Sequence, residues 1–187
     1  MKMTEEGNAV FLWMAADLGN ALGAIRERAL AENRQWGLSE VAFTLPAHIS
    51  LKISFSVPQE KSEPLQREAE AIFREMPPFS VRVKGLQQAP GVLWIAMEEN
   101  ACLSDLHEKM VGLARKYGAE PHPFDGDFRY HSTLFLSHEA EKLAQMAVAL
   151  QDAPLPEQIA VRAFLIGGSE TGKAGEYRVF RRIPAAQ

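Results

Sequence analysis

The chain has 187 residues, enough for one well-filled core and marginal for two. Its 24 acidic and 20 basic side chains leave a formal net charge of −4, so no global basic field draws it to nucleic acid, and any anionic ligand must be held by local charge. A single cysteine, Cys102, excludes a disulfide framework within the monomer and a cysteine-built zinc centre; it reads as a helix packing residue.

Along the chain, Glu5 and Glu6 precede a short apolar run from Ala9 to Ala16, the wrong charge order for a secretory signal. No window approaches the roughly 18 apolar residues of a membrane span, and the expectation is a cytoplasmic protein. The stretch NAVFLWMA reads as a strand, followed by a helix from Leu22 to about Arg34 whose apolar residues recur at helical spacing. A loop from Trp36 to Pro46 leads into a second strand, HISLKISF. The segment SEPLQREAEAIFREM predicts a helix with Ser62 as N-cap and Pro64 in its first turn, stopped by Pro77-Pro78, and FSVRVKGL predicts the next strand.

The order then repeats. GVLWIAM predicts a strand, Leu103 to Tyr117 an amphipathic helix closed by Gly118, and the loop PHPFDGDF enters the strand RYHSTLFL. Glu139 to Leu150 reads as a helix, QIAVRAFLIGG as one strand and EYRVFRRI as the last. Three landmarks keep the halves in register: Trp13 with Trp94, His48 with His131, and Val81-Arg82 with Val161-Arg162, at offsets of 81, 83 and 80 residues. The expected fold is α+β, with two pseudo-symmetric lobes from an internal duplication, each a mainly antiparallel sheet with two helices, enclosing a central cleft. The repeats run over about 8–90 and 91–187 within one domain, 1–187. An approximate two-fold axis would bring equivalent strands face to face and let the two histidines meet.

Side chains alternate along a strand. His48, Ser50, Lys52 and Ser54 are therefore expected on one face, with Ile49, Leu51, Ile53 and Phe55 on the other. In the second copy Arg129, His131 and Thr133 lie together, opposite Tyr130, Ser132, Leu134 and Leu136. Each strand thus offers a histidine and a hydroxyl to one side and packing residues to the other. Two facing imidazoles suit a reaction in which one proton leaves and another arrives, because their ordinary titration range lets one be neutral and one protonated near neutrality. Phosphodiester cleavage has that demand and adds charge on the non-bridging oxygens, which fixed donors such as Ser50 and Thr133 can hold. Lys52 and Arg129 are cations on the same faces.

The doubled His-x-Ser/Thr phrase in a duplicated α+β chain resembles the two-histidine (2H) phosphoesterases, and within them the RNA 2′,3′-cyclic phosphodiesterases, also called 2′-5′ RNA ligases. HISLKISF, the VRVKGL and VLWIAM strands, the helix LHEKMVGLARKYG and FRYHSTLFL fall in that family's order, over nearly the whole chain. The resemblance implies that His48 and His131 are the catalytic pair, with His48 as acid and His131 as base, and that Ser50 and Thr133 hold the phosphate. It departs in two places: Tyr130 stands where the family usually has proline, and Ser50 replaces the commoner threonine.

Other readings compete with this one. His107, His122 and His138 read as structural. A histidine metal site lacks a His-x-His or HExxH spacing, and His138 falls on the opposite strand face from His131. GGSETGKA matches a phosphate-binding loop only up to Lys173; Ala174 lacks the hydroxyl that would take magnesium, and a strand rather than a helix follows. Lys52, Arg129, Tyr130 and Phe128 are candidate substrate-binding residues, with Trp36, Phe43 and Phe124 as further aromatics in the loops that enter the motif strands. The expected function is metal-independent hydrolysis of a 2′,3′-cyclic phosphate, with no cofactor, an RNA 3′ end or a cyclic nucleotide as substrate, no membrane partner and a monomeric state. The alternatives are an RNA-end or nucleotide-binding module with little turnover, and 2′-5′ RNA ligation.

Overall fold

The computed structural model describes residues 9–187. Among these residues eight strands form two four-stranded sheets, accompanied by four α-helices. The first half gives β1 (Ala9–Asp17), α1 (Gly23–Trp36), β2 (His48–Pro58), α2 (Gln59–Glu75) and β3 (Phe79–Ala89). The second gives β4 (Val92–Met97), α3 (Ala101–Lys116), β5 (His131–Leu136), α4 (Ala140–Leu150), β6 (Gln158–Val161), β7 (Ala163–Ser169) and β8 (Arg178–Pro184). Asn8, expected to open the first strand, lies outside the described residues. No helix among the described residues is long and apolar enough to cross a membrane.

The sheets run β2-β1-β7-β8 and β5-β4-β3-β6, all pairs antiparallel. The α+β, two-lobe architecture expected from the duplication is present, but the sheets do not follow the repeat boundary. β3 belongs to the first repeat and pairs with β4 of the second, while β7 belongs to the second and pairs with β1 of the first. The exchange occurs where the sequence suggested one strand, QIAVRAFLIGG. That stretch breaks at Arg162: β6 stays on β3, and β7 crosses to β1. Within the β3–β6 ladder Ser80 pairs with Ala160, its own counterpart at the offset of 80 residues, so the pseudo-two-fold axis passes between them.

Packing follows from the apolar pattern. The apolar face of α2 covers β1, β2, β7 and β8, with Phe73 stacked on Phe164 at 4.7 Å, both fully buried; truncating either to alanine would cost about 3–5 kcal/mol. The helix α4 covers β3 and β4 and carries α1 on its side, while α3 packs on β2 and α2. One apolar core runs through both halves. A second, small cluster of Trp13, Ala15 and Leu165 lies apart from it.

Helix boundaries mostly follow their sequence signals. Asn100 caps α3, its side chain accepting from the Cys102 and Leu103 N–H groups, and Gly118 in the left-handed region closes it. The Ser62 cap is a correction. α2 starts at Gln59, leaving Ser62 buried inside it as acceptor from Gln66 Nε2, and Pro64 in the helix body. Ser-x-Pro imitates a helix start, but the strand runs directly into the helix at Pro58, whose fixed φ of −54° already suits it. Of the GGSETGKA stretch, Gly167–Ser169 end β7 and the rest opens the turn to β8, with the Ser169 hydroxyl accepting from the Thr171 and Gly172 N–H groups.

Candidate active site

β2 and β5 are each the edge strand of their sheet, and they lie against one another. Each carries its histidine at its first residue. His48 pairs with Asp17 and Ser50 with Ala15 across the first sheet, and His131 pairs with Ala96 and Thr133 with Trp94 across the second. Directly paired residues project to the same face, so each sheet presents a histidine, a hydroxyl two residues on, and a tryptophan from the neighbouring strand. All four motif residues are half-buried, as groups on a cleft floor are.

The two imidazoles are anchored alike. His48 Nδ1–H donates to the Pro46 carbonyl at 2.8 Å, and His131 Nδ1–H donates to the Arg129 carbonyl at 2.6 Å. A carbonyl only accepts, so both rings are fixed in the Nδ1–H form with Nε2 left for chemistry. Each ring also lies on a tryptophan: His48 on Trp13 at 4.9 Å and 35°, His131 on Trp94 at 4.3 Å and 29°. Gly167, opposite Trp13 on β7, makes room for this, because a Cβ there would stand 2.5 Å from the indole Cε2.

Burial pushes the titration of both histidines below the ordinary value of 6.5, and their carbonyl hydrogen bonds pull partly back. For His48 the Arg26 guanidinium and the charge of His131 depress it further, while the Asp17 carboxylate opposes them. Asp17 is itself held by the Gly19 N–H at 2.8 Å and by Arg182 Nε at 2.6 Å.

The remaining candidates divide. Arg129, Tyr130 and Phe128 line an open groove of about 590 Å³ that also includes Trp94, Lys84 and Gln87. It therefore opens beside the indole on which His131 lies. Arg129 and Tyr130 precede β5 rather than opening it, which corrects the expected strand start, and the Tyr130 hydroxyl donates to Ser104 Oγ at 3.2 Å. Lys52 is a correction. It is only 1% exposed, its Nζ 2.8 Å from Asp125 Oδ1. The β1–β2 register shifts between Leu12 and Ala15, and this bulge breaks the alternation so that Leu51 and Lys52 both turn inward. Trp36 and Phe43 pack against the core, whereas Phe124 is exposed. No group of three His, Cys, Asp or Glu side chains arranged for a metal occurs among the described residues.

Sequence reasoning missed the roles of Asp17, Arg26 and Asp125, whereas His107, read as structural, is buried with its ring nitrogens on the Leu51 and Asp125 carbonyls. The tryptophans were visible as landmarks of the repeat, and their recurrence in step with the histidines was the available signal. Arg26 had none, because a charged residue on a helix is ordinarily solvated.

The model of the 2′-5′ RNA ligase superfamily matches residues 15–169. The chain belongs to that superfamily. No curated protein matches the sequence. Among solved structures, Escherichia coli LigT complexed with NADP+ aligns with a TM-score of 0.65 and 21% identity, covering 97% of this chain and 100% of LigT. The protein TT0787 of Thermus thermophilus aligns with a TM-score of 0.63 and 18% identity over 93% of this chain and 97% of its own. A structure described as a phosphoesterase aligns at 0.59 and 20%, over 95% and 99%. At such identities these likenesses establish the fold.

Proposed function

We propose that this superfamily member is a phosphodiesterase that opens a 2′,3′-cyclic phosphate, on an RNA end or a small nucleotide, to a phosphomonoester by two-histidine acid–base catalysis without a metal. The observation that carries this reading is the matched anchoring of His48 and His131. Each Nδ1–H is committed to a backbone carbonyl, and each Nε2 is left to exchange a proton. A receptor that only bound the ligand would have no need of two such rings.

The oxygen of a water forms its bond to phosphorus as one of the two ribose P–O bonds breaks. One Nε2 takes the water proton while the other, protonated beforehand, gives its proton to the departing ribose oxygen. The family resemblance makes His48 the acid and His131 the base. Ser50 and Thr133 donate to the non-bridging oxygens as charge builds there, and the groove beyond Trp94 takes the rest of the nucleotide. The same step with a ribose 5′-hydroxyl in place of water is 2′-5′ ligation.

The test is to incubate the full chain, in EDTA, with 2′,3′-cyclic AMP and with an oligoribonucleotide ending in a cyclic phosphate. Conversion to a monoester is followed by ³¹P NMR between about pH 5 and 8. Turnover that survives chelation is expected. Binding without turnover would replace the reading with a nucleotide-binding module. Loss in EDTA with recovery in zinc or manganese would replace it with metal chemistry.

A further inference from the structure

His48 and His131 sit on edge strands of different sheets, so no ladder of backbone hydrogen bonds runs from one to the other. Their separation must be set by side chains. Lys52 and Asp125 form the one ion pair among the described residues in which both side chains are buried, at 1% and 4% exposure. Lys52 follows Ser50 by two residues on β2. Asp125 lies in a short 3₁₀ turn, Pro123–Asp125, six residues before His131. Its second oxygen accepts from the His122 N–H at 2.9 Å, which fixes the turn. His107 of α3 ties the same two segments a second time. Its Nδ1–H donates to the Leu51 carbonyl at 2.7 Å, its Nε2 stands 3.1 Å from the Asp125 carbonyl, and Phe128 stacks on its ring at 4.3 Å.

We infer that Lys52 and Asp125 are positioning residues, a buried clamp that holds the strand carrying His48 and Ser50 at a fixed distance from the loop that delivers His131. The inference rests on the paired-histidine reading above. A buried pair is poor evidence of stability by itself, because apolar replacement of both partners is often neutral. It is well suited to fixing the placement of two segments, since the buried Lys52 ammonium is held by Asp125 at 2.8 Å, while the mostly exposed Arg115 of α3 reaches the other Asp125 oxygen only at 4.0 Å.

The test uses Lys52→Met/Asp125→Asn, which removes both charges while the new amide keeps an acceptor for the His122 N–H. Asp125→Asn alone is the milder second variant. Proximity of the rings is read without turnover, by NMR titration of the His48 imidazole in the presence and absence of His131→Gln. In the wild-type background the substitution should raise the His48 midpoint, because one cation is removed. In the clamp variants that rise should shrink, and kcat for a cyclic phosphate should fall about 10²-fold, the scale of a misplacement near 1 Å, with KM little changed. Lys52→Arg, which keeps the charge, should lose less. A clamp variant with wild-type ring coupling and wild-type kcat would overturn the clamp alone. No effect of His131→Gln in the wild-type background would remove the paired site and the clamp with it. Ring coupling present in a protein without cyclic-phosphate turnover, and weakened in the clamp variants, would support the clamp while rejecting the proposed substrate.

Discussion

Trp94 lies under His131, with ring centroids 4.3 Å apart and planes 29° from parallel, and it comes from the strand next to the one that carries the histidine. Trp13 repeats the arrangement under His48 at 4.9 Å. An indole face is negative, so it favours the imidazolium over the neutral ring. This opposes the burial that depresses both histidines.

Trp94→Leu should therefore lower the His131 titration midpoint further and slow turnover. A cation–π contact of this kind is worth about 0.5–2 kcal/mol, or about 2- to 30-fold in rate. NMR titration of the imidazole checks the first effect. A midpoint that stays still or rises on loss of the indole would show that the tryptophan only packs.

The four motif residues should divide by chemistry. His48→Ala and His131→Ala each remove a proton transfer and should each cost about 10²–10⁴-fold in kcat. The double variant should be little worse than either, because groups acting in one step are not additive. Ser50→Ala and Thr133→Ala lose at most a charge-stabilising donor, about 10²–10³-fold for a strong one, and should keep measurable turnover. Steady-state kinetics on a cyclic phosphate decides, and full activity in either histidine variant ends the paired mechanism.

Much of this site was legible because it is written twice. The recurrence of Trp13, His48 and Ser50 as Trp94, His131 and Thr133 carried both the duplication and the cleft face, and period-two alternation aimed the histidines correctly. Lys52 failed the same rule because alternation assumes an unbroken ladder, and the bulge in β2 depends on pairing with β1, which lies more than thirty residues away in sequence. The strand exchange was hidden for a similar reason. Nothing local at Arg162 says that β6 and β7 belong to different sheets; the break comes from the two-fold relation of Ser80 and Ala160. Asp125 and His107 act through contacts between segments that only the fold brings together.

Arg26 offers a cation that no motif announced. Its guanidinium lies 4.8 Å from the centre of the Phe43 ring, donates to the Leu45 carbonyl at 2.8 Å and depresses His48. Arg26→Met should raise the His48 midpoint, since removing a neighbouring cation favours the imidazolium. If the guanidinium also meets the phosphate, kcat/KM should fall by about 10- to 100-fold, the scale of one charge-assisted hydrogen bond. Arg26→Lys should keep the effect on His48 and lose the planar fork. An unchanged His48 titration in Arg26→Met would show that the charge does not reach the ring.

The depressed histidines also make the site costly to the fold in acid. Both titrate below 6.5 when folded and near 6.5 when unfolded. Between those values the unfolded chain binds more protons than the folded one. Stability therefore rises with pH through that window, and is lost as pH falls from 6.5 through the folded midpoints. His48→Gln/His131→Gln removes this term, so the variant should gain stability relative to the wild type below pH 6.5 and match its pH dependence above. Activity follows the same groups. The productive state has one ring neutral and one protonated, so kcat/KM should peak on the acid side of 6.5 as a bell between the two free-protein midpoints. A bound phosphate favours the imidazolium, and the kcat profile should therefore lie further to the alkaline side than that of kcat/KM. Thermal unfolding at a series of pH values tests the first claim and the two kinetic profiles the second. Equal acid sensitivity of wild type and double variant would show that neither ring is held neutral by burial.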